Sequence, residues 1–227
     1  MNKSSTQIQN DGALLIKQSL AEKLKDEIMR GHLLPGQRIV EGHWARKFGV
    51  AQTSVREAIN LLISEGFATK ASGRSARVTS YSERDIAQIY ELRSALEGLA
   101  ANLTTQRQPN LEPLEIALKE MRKATRESDI RKIVEADLNF HLVLCELCGN
   151  RFLYAQIRTL LVPLFAFVAM RVVQRNQTAQ AWESDLDRHK RVVELISEGN
   201  PLAAEFAVRG SMRQFAMRAE AIWQKKE

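Results

Sequence analysis

From Ser82 to the end of the chain, apolar residues recur at helical spacing and no stretch alternates apolar with polar residues as a strand would. A segment of that length with a single periodicity buries its apolar faces by packing helix on helix. The spacing predicts helices near 83–106, 111–127, 129–148, 151–174, 179–198 and 201–224. RQPN, the polar residues around Ser128, CGN, RNQT and GNP separate them. Ser82, followed by Asp85, has the chemistry of a helix N-cap. The longest apolar run, LLVPLFAFVAM at 160–170, is too short to cross a bilayer and contains Pro163. It reads as a buried helix, so no membrane association is expected. Residues 83–227 are thus predicted to form one all-helical domain.

The first third is organised differently. Residues 1–12, MNKSSTQIQNDG, have no apolar core and read as a flexible tail, not a secretory signal. A helix is predicted from Ala13 to Arg30, with Ile16, Leu20, Leu24 and Ile28 on one stripe; Gly31 and the Pro35-Gly36 turn end it. A short helix over Glu41–Phe48 turns Trp44, Ala45 and Phe48 inward and stops at Gly49. The next runs from Gln52 to Ser64, with Val55, Ala58, Ile59 and Leu62 as its core stripe and Gly66 beyond its end. Phe67–Lys70 and Ala76–Thr79 read as two short strands around a tip of Ser72-Gly73-Arg74-Ser75. Helix, short helix, tight turn, helix and hairpin is the order of a winged helix-turn-helix, placed over residues 13–80. The fold class is mainly α.

Charge placement points to the partner. Of a formal net charge of +6, residues 1–80 hold +5 and residues 81–227 only +1. A basic amino-terminal module suggests a polyanion. The second helix of a helix-turn-helix enters the major groove, where its first turns meet base edges. Here those turns offer Gln52, Thr53, Ser54 and Arg56. Glutamine can address adenine, and arginine guanine or a phosphate. Ser54 and Glu57 have capping-box spacing. Arg46 belongs to the same DNA-contacting set, as do Lys70, Gly73, Arg74 and Arg77 around the hairpin tip, where cations give salt-dependent affinity.

In the helical domain, Asp137 and His141 lie four residues apart in DLNFHLVLCELCGN, and so on one helical face. That pair can chelate a divalent ion. Cys145 continues the stripe, Cys148 lies near it, and His189 can project from a facing helix. The same residues also suit hydrogen-bonded histidines and small buried thiols. Phe140, Leu144 and Leu147 serve the core. Two cysteines in one segment make no disulfide framework, which suits a reducing, cytoplasmic setting.

LLPGQRIVEGHWARKFGVAQTSVREAINLLISEGF resembles the DNA-binding domain of GntR-type transcription regulators, over roughly residues 13–80. Ala51-Gln52 stands where the family usually has Ser-Arg, and Gly42 where some members carry a DNA-contacting arginine. YELRSALEGLAA, DLNFHLVL and RHKRVVELISEGNPLAAE are similar to the FCD effector domain of the FadR subfamily, over about residues 83–223. The resemblance implies a regulator and no enzyme, acting as a homodimer on pseudo-palindromic double-stranded operator DNA. It also implies a divalent metal (zinc, nickel or manganese) on Asp137, His141 and His189, with Ser211, a poor ligand, at the fourth position. A small carboxylate effector is then expected at or beside the ion, with Arg93 facing it; the plainer alternative for Arg93 is an ion pair with Glu97. Two further alternatives are a ligand-free dimerisation bundle and a helical-bundle metalloenzyme. Against the latter, the chain has no HExxH, no phosphate loop and no nucleophile–base motif.

Overall fold

The structure, a computed structural model, describes residues 3–71, 74–174 and 182–223. The chain divides into two compact units, Met1–Ser80 and Tyr81–Glu227.

The first unit contains α1 (Lys3–Met29), α2 (Glu41–Phe48), α3 (Gln52–Ser64), β1 (Ala68–Thr69) and β2 (Arg77–Val78). α1 opens at Lys3, where the sequence predicts a tail up to Gly12 and a helix only from Ala13. The added segment contains no proline, and its one Gly12 costs a helix about 1 kcal/mol, too little to stop it. Leu20, Leu24 and Ile28 are buried where α1 packs on α3, whereas Ile16, predicted on the same stripe, is 55% exposed beyond that contact. Val55, Ala58, Ile59 and Leu62 form the facing stripe of α3. Gly49 ends α2 at φ 65°, the left-handed region in which glycine meets no Cβ penalty. The hairpin pairs Ala68 with Val78 and Thr69 with Arg77, so its strands are shorter than predicted.

The predicted capping box of Ser54 and Glu57 does not form. α3 already begins at Gln52, with Ala51 as an N-cap that supplies no side-chain bond. Ser54 therefore lies inside the first turn, its N–H donating to the Ala51 carbonyl at 3.1 Å.

The second unit holds α4 (Glu83–Arg107), α5 (Glu112–Glu127), α6 (Ile130–Leu147), α7 (Arg151–Gln174), α8 (Glu183–Ser197) and α9 (Pro201–Trp223). The predicted RNQT break, and the predicted helix start at 179, lie outside the described residues. Ser82 caps α4 in a reciprocal box with Asp85, and the Asp129 side chain accepts from Arg131 and Lys132 N–H at the start of α6. These caps set where each helix begins, and with it which side chains face inward. α4 packs along α9, α5 on α6, α6 on α7 and α8 on α9; α4 also touches α6 and α8. α7 carries Pro163 inside it. Its stretch Arg151–Val172 is long and apolar enough to cross a membrane, unlike the shorter run the sequence picks out, but half of that stretch is buried in the bundle. Leu147, expected in the core with Phe140 and Leu144, is only half-buried.

Candidate functional site

Two surfaces carry chemistry. In the first unit, the start of α3 presents Gln52, Thr53 and Arg56 exposed and Ser54 half-buried, with Arg46 exposed on α2. The Arg56 guanidinium is partly engaged. Its Nε donates to both oxygens of Glu41 at 3.1 Å, and its Nη2 donates to Glu41 Oε2 at 2.8 Å. These bonds hold the Glu41 carboxyl below the usual carboxylate range. An open cleft of about 320 Å³ between α2, α3 and the hairpin is lined by Arg38, Glu41, Gly42, Arg56, Asn60 and Lys70. On the hairpin, Lys70 and Arg74 are exposed, while Gly73 lies outside the described residues. Arg77 is exposed as well, and its Nη1 donates to the Gly36 carbonyl at 2.9 Å.

The second surface is a buried cluster where α4, α6 and α8 meet. Asp137 and His141 sit one turn apart on α6, and His189 reaches them from α8; one ligand atom of each lies within 4.8 Å of the others. His189 Nε2 is 3.1 Å and His141 Nε2 3.3 Å from Asp137 Oδ1, and the two Nε2 atoms are 3.4 Å apart. The far side of each ring is occupied. His189 Nδ1 donates to the Asp185 carbonyl at 2.6 Å. His141 Nδ1 lies against Glu97 Oε2 at ion-pair distance, off the line of a straight hydrogen bond. A proton on each Nδ1 leaves the Nε2 lone pairs aimed at each other and at Asp137, whose Oδ1 is buried without a hydrogen-bond partner.

Three converging lone pairs repel unless a proton or a metal ion sits among them. A four-coordinate ion with bonds of about 2.1 Å spaces its ligands by about 3.4 Å, and a six-coordinate one by about 3.0 Å. The observed separations of 3.1, 3.3 and 3.4 Å fall in that range, so the donor set fits a divalent ion. Ser211 and Arg188 line a cavity of about 10 Å³ beside the two histidines, with Phe140 and Phe215. That is room for one water or ion, not an organic acid. The Ser211 hydroxyl donates to the Ala207 carbonyl at 2.9 Å. Cys145, a substitute ligand by its position on the stripe, is not in the cluster; burial pushes its thiol well up, and Cys148 Sγ donates to its carbonyl.

Behind the cluster, Arg93 Nε donates to Glu97 Oε1 at 2.7 Å, and both side chains are fully buried. The guanidinium stacks near Tyr90 and Phe165, and its Nη2 has no hydrogen-bond partner. Arg93 does not line the small cavity. The i,i+4 pair was legible in the sequence, but the step from Glu97 to His141 crosses two helices and was not. Arg188 was missed as well; its Nη1 bonds Asp185 Oδ1 at 2.7 Å.

The buried cluster titrates as a unit. Burial opposes charge on His141, but Glu97 and Asp137 outweigh it and raise the imidazole to about 9. Burial likewise opposes ionised Glu97, yet Arg93 and His141 bring it to about 2. In chelator, the His141 proton is therefore bound more tightly in the folded state than in the unfolded one, where its pKa is about 6.5. The stability this contributes is present below about pH 6.5 and lost as pH rises through about 9. Urea midpoints in chelator are expected to fall over that window, and His141→Gln to flatten the slope.

A winged helix-turn-helix followed by a helical bundle with a buried donor cluster is the make-up of a one-chain transcription regulator. The chain belongs to the gntR family of bacterial regulatory proteins, which residues 16–78 match, and residues 88–214 match the FCD domain. It is a DNA-binding regulator and not an enzyme. It is 29% identical over 186 residues, 81% of each chain, to the uncharacterized HTH-type transcriptional regulator YdhC of Bacillus subtilis. It is 25% identical over 199 residues, 86% of each chain, to a probable D-xylose utilization operon transcriptional repressor of Paenarthrobacter nicotinovorans. The solved structure of Escherichia coli McbR/YncC shares the fold at TM-score 0.73 and 19% identity, covering 91% of this chain and 97% of that one.

Proposed function

We propose that this regulator binds a divalent ion on Asp137, His141 and His189, and that a small organic acid acting at that ion controls its affinity for operator DNA. The observation that carries the reading is the convergence of three buried donors whose outer partners, Glu97 and the Asp185 carbonyl, hold both Nε2 lone pairs inward. The ion, when bound, supplies a positive centre for an oxygen ligand. Zinc, nickel and manganese all suit two imidazoles and a carboxylate. Ser211, with its hydroxyl spent on a backbone carbonyl, leaves the fourth side to water or effector.

Charge balance favours an anionic effector. With neutral histidines, Glu97 offsets Arg93, and Asp137 offsets only half of a divalent ion. One carboxylate completes the neutralisation. The unpartnered Nη2 of Arg93 adds a second reason, since a guanidinium without an acceptor seeks one. A cavity of about 10 Å³ cannot admit such a molecule, so binding must part some of the helices that line it, α6, α8 and α9. An effector acts on DNA affinity only through its preference for one arrangement over the other.

On the DNA side, Arg46, Gln52, Thr53, Ser54 and Arg56 read the major groove, while Lys70, Gly73 and Arg74 hold the backbone. A homodimer would present two such helices to a pseudo-palindromic operator. Leu202 and Phe206, 75% and 78% exposed and one turn apart on α9, support a covered face. The setting is cytoplasmic.

Elemental analysis and thermal melting of untagged protein test the metal site. Zinc, nickel or manganese should raise the melting temperature of chelated protein, and Asp137→Asn should lose that shift. Glu97→Gln should weaken binding about 10–100-fold by freeing the His141 ring. No bound metal after reconstitution would refute the site.

A further inference from the structure

Gly42, in the first turn of α2, and Gln52, the first residue of α3, adjoin on the surface read above as the groove face. A Cβ added to Gly42 would lie 3.1 Å from Gln52 Nε2, 3.8 Å from its Cδ and 3.7 Å from Arg46 Nη1. The missing side chain leaves a notch. The Gln52 amide lies in it, and the Arg46 guanidinium stands at its edge. Glycine is a poor helix former, so its place in α2 is not explained by helix stability. An exposed glutamine opening a helix is otherwise free to wander among rotamers, and a base-reading amide must be held in one of them.

We propose that Gly42 is a specificity-determining residue. By having no side chain it seats the Gln52 amide beside Arg46, poised for the N6 and N7 edge of one adenine in each half-site. A side chain at 42 fills the notch and unseats the amide. The effect passes through Gln52, so Gly42 itself is a positioning residue. The inference rests on the proposed docking of α3 in the major groove.

The test is operator selection from random duplex DNA with the full-length protein, followed by competition binding at each selected position. Gln52→Ala identifies the base pair that Gln52 reads, as the position whose adenine preference disappears. Gly42→Met is expected to reduce preference at that same base pair at least about fivefold, to leave the other positions unchanged, and to keep the salt slope. Added to Gln52→Ala, it is expected to change no base preference. Gly42→Ala, whose single methyl demands only a small shift, should act at the same position more weakly, and serves if the methionine variant folds poorly. The proposal is overturned if Gly42→Met leaves that preference intact, if it acts equally in the Gln52→Ala background, or if Gln52→Ala alters no position. Wild-type protein that selects no sequence at all would overturn the groove docking itself, which is a separate outcome.

Discussion

Arg93→Ala is expected to lose about 3–5 kcal/mol of folding stability, the largest single-site effect in the helical unit. The guanidinium is 1% exposed and its partner Glu97 is fully buried. Removing it leaves a carboxylate in the bundle facing only His141. Desolvation then presses Glu97 to take up a proton, and the group that orients the imidazole is weakened. Urea denaturation of the chelated protein measures the loss. A double variant, Arg93→Met with Glu97→Met, removes both charges and should recover most of it, because an apolar pair of similar volume replaces an ion pair at little cost. The double variant should nonetheless bind metal more weakly, since His141 loses its outer carboxylate. Should Arg93→Ala unfold at the wild-type midpoint, the pair contributes nothing to stability and the charge balance proposed for the effector site fails with it.

Arg56→Ala is expected to lower affinity for a selected operator about 100-fold or more and to reduce the salt slope by about one. Two effects combine. The variant loses a cation from the exposed face of α3, where Nη1 is not used in the bonds to Glu41. It also uncovers Glu41, whose carboxylate then loses its hydrogen-bonded cation, competes for Lys70 in the cleft and opposes a phosphate. Adding Glu41→Gln to Arg56→Ala should therefore regain part of the affinity, whereas Glu41→Gln alone frees the arginine without adding a negative charge. Fluorescence anisotropy at two or more salt concentrations separates the terms. Retention of both operator affinity and salt slope by Arg56→Ala would place another element in the groove.

The order of elements was legible because it rests on near neighbours. A stripe at i, i+3, i+4 and i+7, the Ser82–Asp85 box, and Gly49 in the left-handed region are decided within a turn or two of chain. Asp137 and His141 were visible as a pair for the same reason, as was Arg93 with Glu97. The α1 start was misjudged because a polar segment without a breaker looks alike in a tail and a helix. The Ser54 capping box conflicts with the predicted helix start itself: a helix that begins at Gln52 puts Ser54 inside the first turn, where it cannot serve as N-cap.

By itself, then, the sequence determined the two-part architecture, the polar face at the start of α3 and a candidate set of ligands. Only tertiary structure decided that Cys145 stands outside the cluster, that Glu97 backs His141, and that Gln52 lies over Gly42. The last two are contacts between residues on different helices. The free energy that sets them is the packing of whole helical faces, a property of the assembled unit that no short window of residues carries.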